Sequence, residues 1–217
     1  MTIIKPRRET IVDAYDPLDE LIDKAREEDD TVSRLRIRGE NTENADMKGL
    51  SFEYVTFENC RFSDCDMYKC SFTDCRFVSC DLSGSDLDGC YFGRCELEGT
   101  KAMGASFMES YFSNVFLSEC NLSYSNFGNS RLHKLIISGC CMQRCYITHC
   151  DFKNSSLKNT DFSGTSFSRT LLGGFDLTSC VVDGISVSEG CTELRGASVT
   201  RDQAASLASL MGLIVKQ

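Results

Sequence analysis

From Met47 to Val187 an apolar residue returns at every fifth position. The series runs Met47, Phe52, Phe57, Phe62, Met67, Phe72, Phe77, Leu82, Leu87, Phe92 and Leu97, then resumes at Phe107 and continues to Val187, with Ala102 the only small member. Two residues before each centre sits a compact side chain, as at Ala45, Val55, Cys60, Cys65, Cys70, Cys75, Cys80, Ser85 and Cys90. Polar residues fill the other places. A period of five fits neither the 3.6-residue turn of a helix nor the two-residue alternation of a strand, so the pattern predicts an internal repeat that builds a solenoid.

In extended backbone, residues two apart point the same way, so each centre and the compact residue before it both face inward. The remaining residues must turn the chain. Gly49, Gly84, Gly89, Gly99, Gly104, Gly139, Gly164, Gly174 and Gly184 occupy the fifth position, where a bend tolerates them. Each pentapeptide is then one side of a coil. This register resembles that of the pentapeptide-repeat family. The resemblance implies an all-β fold, a right-handed quadrilateral parallel β-helix with four pentapeptides per turn and central Phe or Leu residues stacked along its axis. About eight coils are expected, uninterrupted from Leu35 to Leu194. Ala102 leaves a deficit of volume, which Met103 or Phe107 is expected to fill by repacking.

The flanks follow other patterns. Asp16-Pro17 before Leu18, Leu21, Ile22 and Ala25 predicts an amphipathic helix with Asp16 as N-cap and Pro17 at its first position, ending in the acidic run Glu27 to Asp30. Residues 1–34 therefore form a helical cap or extension, 35–197 the β-helix, and 198–217 a C-terminal helix and dimerisation segment. In the last of these, Thr200-Arg201-Asp202-Gln203 is a capping-box sequence, followed by an apolar stripe up to Gly212 and then Leu213-Ile214-Val215. So apolar a tail predicts cover for the last coil or contact with a second copy, and Leu207, Leu210, Met211, Leu213, Ile214 and Val215 are the candidate homodimer interface.

Gln203-Ala204, Leu207, Met211-Gly212 and Val215 are similar to the C-terminal segment of the Qnr/MfpA quinolone-resistance proteins, and Gly104–Met108 and Asn121–Phe127 are similar to internal stretches of the same group. The unbroken phase is closer to the loopless MfpA type. The resemblance implies a homodimer that mimics DNA, binds DNA gyrase or topoisomerase IV, and shields the enzyme from quinolone-type inhibitors.

Fourteen cysteines change less than their number suggests. Twelve fall on the compact inward position, where Cys serves as a small, readily buried hydrophobe; only Cys141 and Cys191 lie elsewhere. Zinc binding by Cys140, Cys141, Cys145, His149 and Cys150 would need sulfurs within about 4 Å of one another, and successive sides of a filled coil keep them apart. No metal or cofactor is expected. Nor is catalysis: His133 and His149 lie in no nucleophile or metalloprotease motif, and Gly84 and Gly89 have P-loop spacing with Cys90 where Lys is required. The start of the chain holds no hydrophobic segment and nowhere do eighteen apolar residues follow one another, so a cytoplasmic protein without membrane contact is expected.

Charge separates the partner classes. A net charge of −9 disfavours direct binding to nucleic acid, which needs a basic footprint, and suits a surface that imitates one. Residues 41–120 carry fourteen acids and six bases, residues 121–217 seven acids and nine bases. Sorted by coil face, Asp46, Asp66, Asp86, Asp88 and Glu109 share the side of Met47, Met67 and Leu87. The opposite side carries Glu58, Glu96, Glu98 and Glu119, and Asp64 and Asp81 lie between. These are the candidate gyrase-binding acids. Tyr91, Tyr111, Tyr124 and Tyr146 are expected outward as surface packing.

Overall fold

The computed structural model describes residues 3–7 and 9–216, and within them the chain is a parallel β-solenoid of about seven turns with short helices at both ends. Residues pair with residues 20 further on: Val32 with Phe52, then Phe72, Phe92, Phe112, Leu132 and Phe152. Ile37, Phe57, Phe77, Leu97, Leu117, Ile137 and Leu157 form the neighbouring column. We number the four faces I (from Val32), II (from Ile37), III (from Thr42) and IV (from Met47). On faces III and IV the bridges from Asn41 to Val181 and from Asp46 to Ser186 take seven steps between eight levels. At about 4.8 Å per step the rod is roughly 34 Å long.

Faces I and II are strands such as Ser51–Glu53 and Thr56–Glu58, whereas faces III and IV are made of turns. In each turn the N–H three residues past the centre returns to the centre's carbonyl, as Cys65 to Phe62 and Cys70 to Met67. The third residue of such a turn must be left-handed. Ten glycines and twenty non-glycine residues hold that conformation at the corners, among them Tyr54, Lys69, Arg94 and Glu119. Glycine therefore marks only a minority of the corners. The rest are held because corner N–H groups donate to the next coil, as Tyr54 does to Thr73 and Asn59 to Val78. At Gly84 a Cβ would meet the exposed Asp64 carboxylate, which would have to swing aside.

Inside, the centres stack. Phe52, Phe72, Phe92 and Phe112 lie face to face with centroids 5.2, 5.1 and 4.8 Å apart, and Phe57 and Phe77 meet this column edge-on. The compact residues do more than fill space. Cys70 Sγ donates to the Met47 carbonyl at 2.9 Å and Cys90 to Met67 at 3.0 Å, while Ser110, Ser130 and Thr170 hydroxyls make the same bond to Leu87, Phe107 and Ile147. Cys, Ser and Thr interchange there because each is small and brings one donor. Burial pushes the Cys145 and Cys150 thiols up to about 11. Ala102 is fully buried, but Met103 is 41 % exposed and does not repack towards it; Phe107 is buried and stacks on Phe127.

Both ends are closed. Helix α1, Leu18–Glu28, buries Leu18, Ile22 and Ala25 against the first coil; Pro17, not Asp16, is its N-cap, with no side-chain capping bond. The ladder itself begins at Val32. Before the helix, β1 (Val12–Asp13) pairs with Leu35–Arg36 and covers the open edge of face II. At the other end the register is not unbroken to Leu194. Asp176 bridges Ser198, so the last coil is two residues longer than those bridging at 20. The extra residues place Glu193 at the corner, buried, with Oε1 accepting N–H groups from Arg169 at 2.7 Å and Ser188 at 3.2 Å. Beyond it, α2 (Arg201–Leu207) starts with the expected capping box of Thr200 and Gln203 and runs through a 3-10 turn to a left-handed Gly212. Gln203 Nε2 donates to the Leu177 and Cys180 carbonyls, which have no further coil to bond.

Phe72→Ala opens a cavity between two stacked rings that the coils on either side cannot close, and should cost about 3–5 kcal/mol in a denaturant melt. Glu193 gives a pH signature. Burial alone would raise its pKa, but the hydrogen bonds from Ser188 and Arg169 outweigh burial and hold it down to about 2. A carboxyl depressed on folding stabilises the protein above its unfolded pKa and loses that contribution as pH falls through the folded value. Glu193→Gln should therefore lose about 1–3 kcal/mol at neutral pH and show a flatter loss of stability than the parent between about pH 5 and pH 2 in acid titrations followed by circular dichroism.

Candidate partner-binding faces

The parallel ladder puts Asp46, Asp66 and Asp86 directly in register on face IV. Their spacing is one coil, about 4.8 Å. Each also shapes its own turn: Oδ1 accepts the N–H two residues on, from Lys48 at 3.1 Å, Tyr68 at 3.2 Å and Asp88 at 2.9 Å. Asn126 does the same for Gly128 on this face, and Asp81, Asn121 and Asp161 do so on face III. Asp or Asn is thus favoured locally by the turn, and a run of Asp rather than Asn is what makes the ladder acidic.

The carboxylates differ in how far they are neutralised. Arg26 of α1 reaches Asp46 at 3.2 Å, and Lys48 binds Asp66 at 2.7 Å, which lowers the Asp66 pKa. On face II, Arg38 holds Glu58 at 2.8 Å with Arg36 beside it, and Glu96 lies between Arg76 at 3.1 Å and Lys5 at 3.3 Å. Glu98 meets Arg76 only at 3.8 Å. Asp88 Oδ1 accepts the Met108 N–H and the Ser106 hydroxyl. Among the described residues no ion pair engages Asp64, Asp81, Asp86, Asp88, Glu109 or Glu119. Unpaired negative charge is therefore concentrated on faces III and IV, and face II is largely compensated.

Part of that compensation comes from a segment with no sequence periodicity. Residues 4–7 and 9–13 run along the rod across successive coils: the Ile4 N–H bonds Asn114 Oδ1 at 3.1 Å, Lys5 pairs with Glu96, and the Arg7 N–H bonds Asp74 Oδ1 at 2.8 Å. Asp74 is itself buried and clasped by Arg94 at 2.8 and 2.6 Å. Between this arm and face II lies a cavity of about 660 Å³, lined among others by Arg36, Tyr54, Thr56 and Phe116. The mixed face I carries Tyr91 beside Tyr111, their rings tilted at 54°, with His133 and Asp151 beyond, while Tyr111, Tyr124 and Tyr146 point outward as expected.

The apolar tail divides in two. Leu207 and Leu210 pack against the end of the core, whereas Met211, Leu213, Ile214 and Val215 are 64, 56, 88 and 55 % exposed. No helix among the described residues is long and apolar enough to cross a membrane.

Comparison with known proteins agrees with the coil geometry. Residues 70–144 match the family description "Pentapeptide repeat region", and residues 43–77 and 140–178 match "Pentapeptide repeats (8 copies)". Together these span residues 43–178, and the chain belongs to the pentapeptide-repeat proteins. Its fold is similar to that of trypsin-treated QnrB1, a plasmid-mediated fluoroquinolone resistance protein: the two are 23 % identical with a TM-score of 0.51, over 84 % of this chain and 92 % of that one. It is equally similar in fold to HetL of the cyanobacterium Nostoc, a pentapeptide repeat protein involved in heterocyst differentiation regulation, at 12 % identity and a TM-score of 0.51 over 85 % and 95 % of the two chains. No curated protein sequence matches the chain significantly.

The two roles of the face IV aspartates can be separated by mutation. Asp86→Ala leaves the Asp88 N–H without its acceptor and should cost about 0.5–1.5 kcal/mol, while Asp86→Asn keeps the acceptor and should fall within about 0.5 kcal/mol of the parent in the same denaturant melt.

Proposed function

We propose that this protein is a non-enzymatic, homodimeric rod whose acidic faces mimic DNA, occupying the basic surface of DNA gyrase or topoisomerase IV and thereby protecting the enzyme from quinolone-type inhibitors. The observation that carries the reading is the in-register ladder Asp46, Asp66, Asp86, flanked by Asp88 and Glu109 and continued around the corner by Asp64 and Asp81. One strand of DNA presents a charge about every 3.4 Å, and one face of the rod presents one about every 4.8 Å, so several faces together approach the charge density of a duplex. Action would be by competition: the rod fills the saddle that holds a DNA segment, and attraction between the opposed charges falls as salt shortens the Debye length. Among enzymes with such a saddle, the likeness of the C-terminal segment to Qnr/MfpA sequences favours the type II topoisomerases as the target.

A second reading, a structural interaction scaffold with no topoisomerase target, is favoured by one observation. Arg36, Arg38, Arg76 and Lys5 neutralise much of face II from within the molecule. The two readings diverge in a supercoiling assay with gyrase and a fluoroquinolone. The triple variant Asp46→Asn, Asp66→Asn, Asp86→Asn preserves the turn acceptors while removing three charges. It should lose protection and at least tenfold in gyrase affinity while melting within a few degrees of the parent. Undiminished protection by the triple variant would leave the scaffold.

The dimer is assigned to the exposed end of the tail. Leu213→Asp with Ile214→Asp alters residues that do not cover the core, so light scattering should report a monomer with unchanged helical and β signals. A dimer that survives would place the interface elsewhere.

A further inference from the structure

We infer that the groove along face II is a docking site for an extended, basic polypeptide segment, and that residues 4–7 and 9–13 are its resident occupant, which an incoming segment must displace. The walls of the groove are rigid. Asp74 is fixed by two bonds from Arg94, Thr56 is buried, and Asn114 sits 9 % exposed at a left-handed corner. Its chemistry is that of a reader of main chain. Asp74 and Asn114, two coils apart, each accept a backbone N–H from the arm, and Glu96 between them takes the Lys5 ammonium. One donor is only loosely engaged: Arg36 Nε is buried beside the cavity and lies 3.4 Å from Glu58 Oε1, without a well-formed hydrogen bond among the described residues. A carbonyl of a more closely seated chain would satisfy it.

The resident fits the groove loosely. Ile4 and Val12 are 55 and 60 % exposed, and Lys5 keeps most of its side chain in water, so no buried apolar anchor holds this stretch. A cavity of about 660 Å³ separates it from the face, space that a segment with larger side chains could fill. Polar acceptors spaced along the axis, a carboxylate for a cation and an unfilled volume lined by Tyr54 and Phe116 define the guest: an extended chain with a Lys or Arg and bulky neighbours. Lys5 already lies 5.9 Å above the Phe116 ring, an arrangement that such a guest would repeat.

The inference stands apart from any topoisomerase and is tested without one. Fluorescence anisotropy of a labelled synthetic copy of residues 3–14 is measured against the full-length protein and against full-length Lys5→Glu, in which the resident is repelled by Glu96. The peptide should bind the variant at least tenfold tighter than the parent. Adding Asn114→Gly to the variant removes one acceptor while keeping the left-handed corner, and should weaken the peptide about fivefold at an unchanged melting temperature. In the parent, saturating peptide should accelerate hydrogen exchange at the Ile4 and Arg7 amides. Equal affinity for parent and Lys5→Glu, no binding to either, or indifference to Asn114→Gly would overturn the proposal.

Discussion

Backbone N–H groups at the corners point along the rod and find carbonyls in the next coil, and these bonds let a chain of ordinary residues turn left-handed every five positions. Left to itself a non-glycine residue resists that conformation by about 1–2 kcal/mol. One hydrogen bond per corner, repeated through a stack in which every neighbour is likewise fixed, offsets the penalty. Cooperation between coils is therefore built into the backbone before any side chain is considered. The phenylalanine columns and inward donors then act on an already quantised frame, in which each side chain meets the one 20 residues away.

The same frame dictates surface charge. Faces III and IV are turns, turns call for Asp or Asn, and stacking places like beside like. An acidic ladder on such a rod needs no selection for a partner to arise, only a preference for Asp over Asn. The two halves differ at these positions: Asp46, Asp66 and Asp86 give way to Ser106, Asn126 and Tyr146 along one column. The rod is polar in its electrostatics while uniform in its backbone.

Much of this was legible in the sequence because the repeat is local. Five-residue periodicity assigned the buried columns, the twelve inward cysteines and the faces of the acids, and the capping box at Thr200 marked α2. What escaped was long-range or chemically silent. The contacts of the arm join residues 110 and 67 positions apart, through backbone groups that carry no residue signature. Cysteine read as a small hydrophobe hid its role as a donor, although its interchange with Ser and Thr was the available clue. The two-residue excess in the last coil was visible only as a fading phase, and the ion pairs that quiet face II depend on rotamers that no spacing specifies.

The closing of the final coil by Glu193 separates the length of this molecule from the chemistry of its ends. A carboxylate supplies the acceptors a further coil would have offered, and Gln203 supplies the missing donors, so the terminus is finished whatever number of coils precedes it. Duplication or loss of one 20-residue unit in the middle would lengthen or shorten the rod by a single increment and leave both terminators untouched. Such a design can vary its reach as a ruler gains divisions, in discrete marks and without being redrawn.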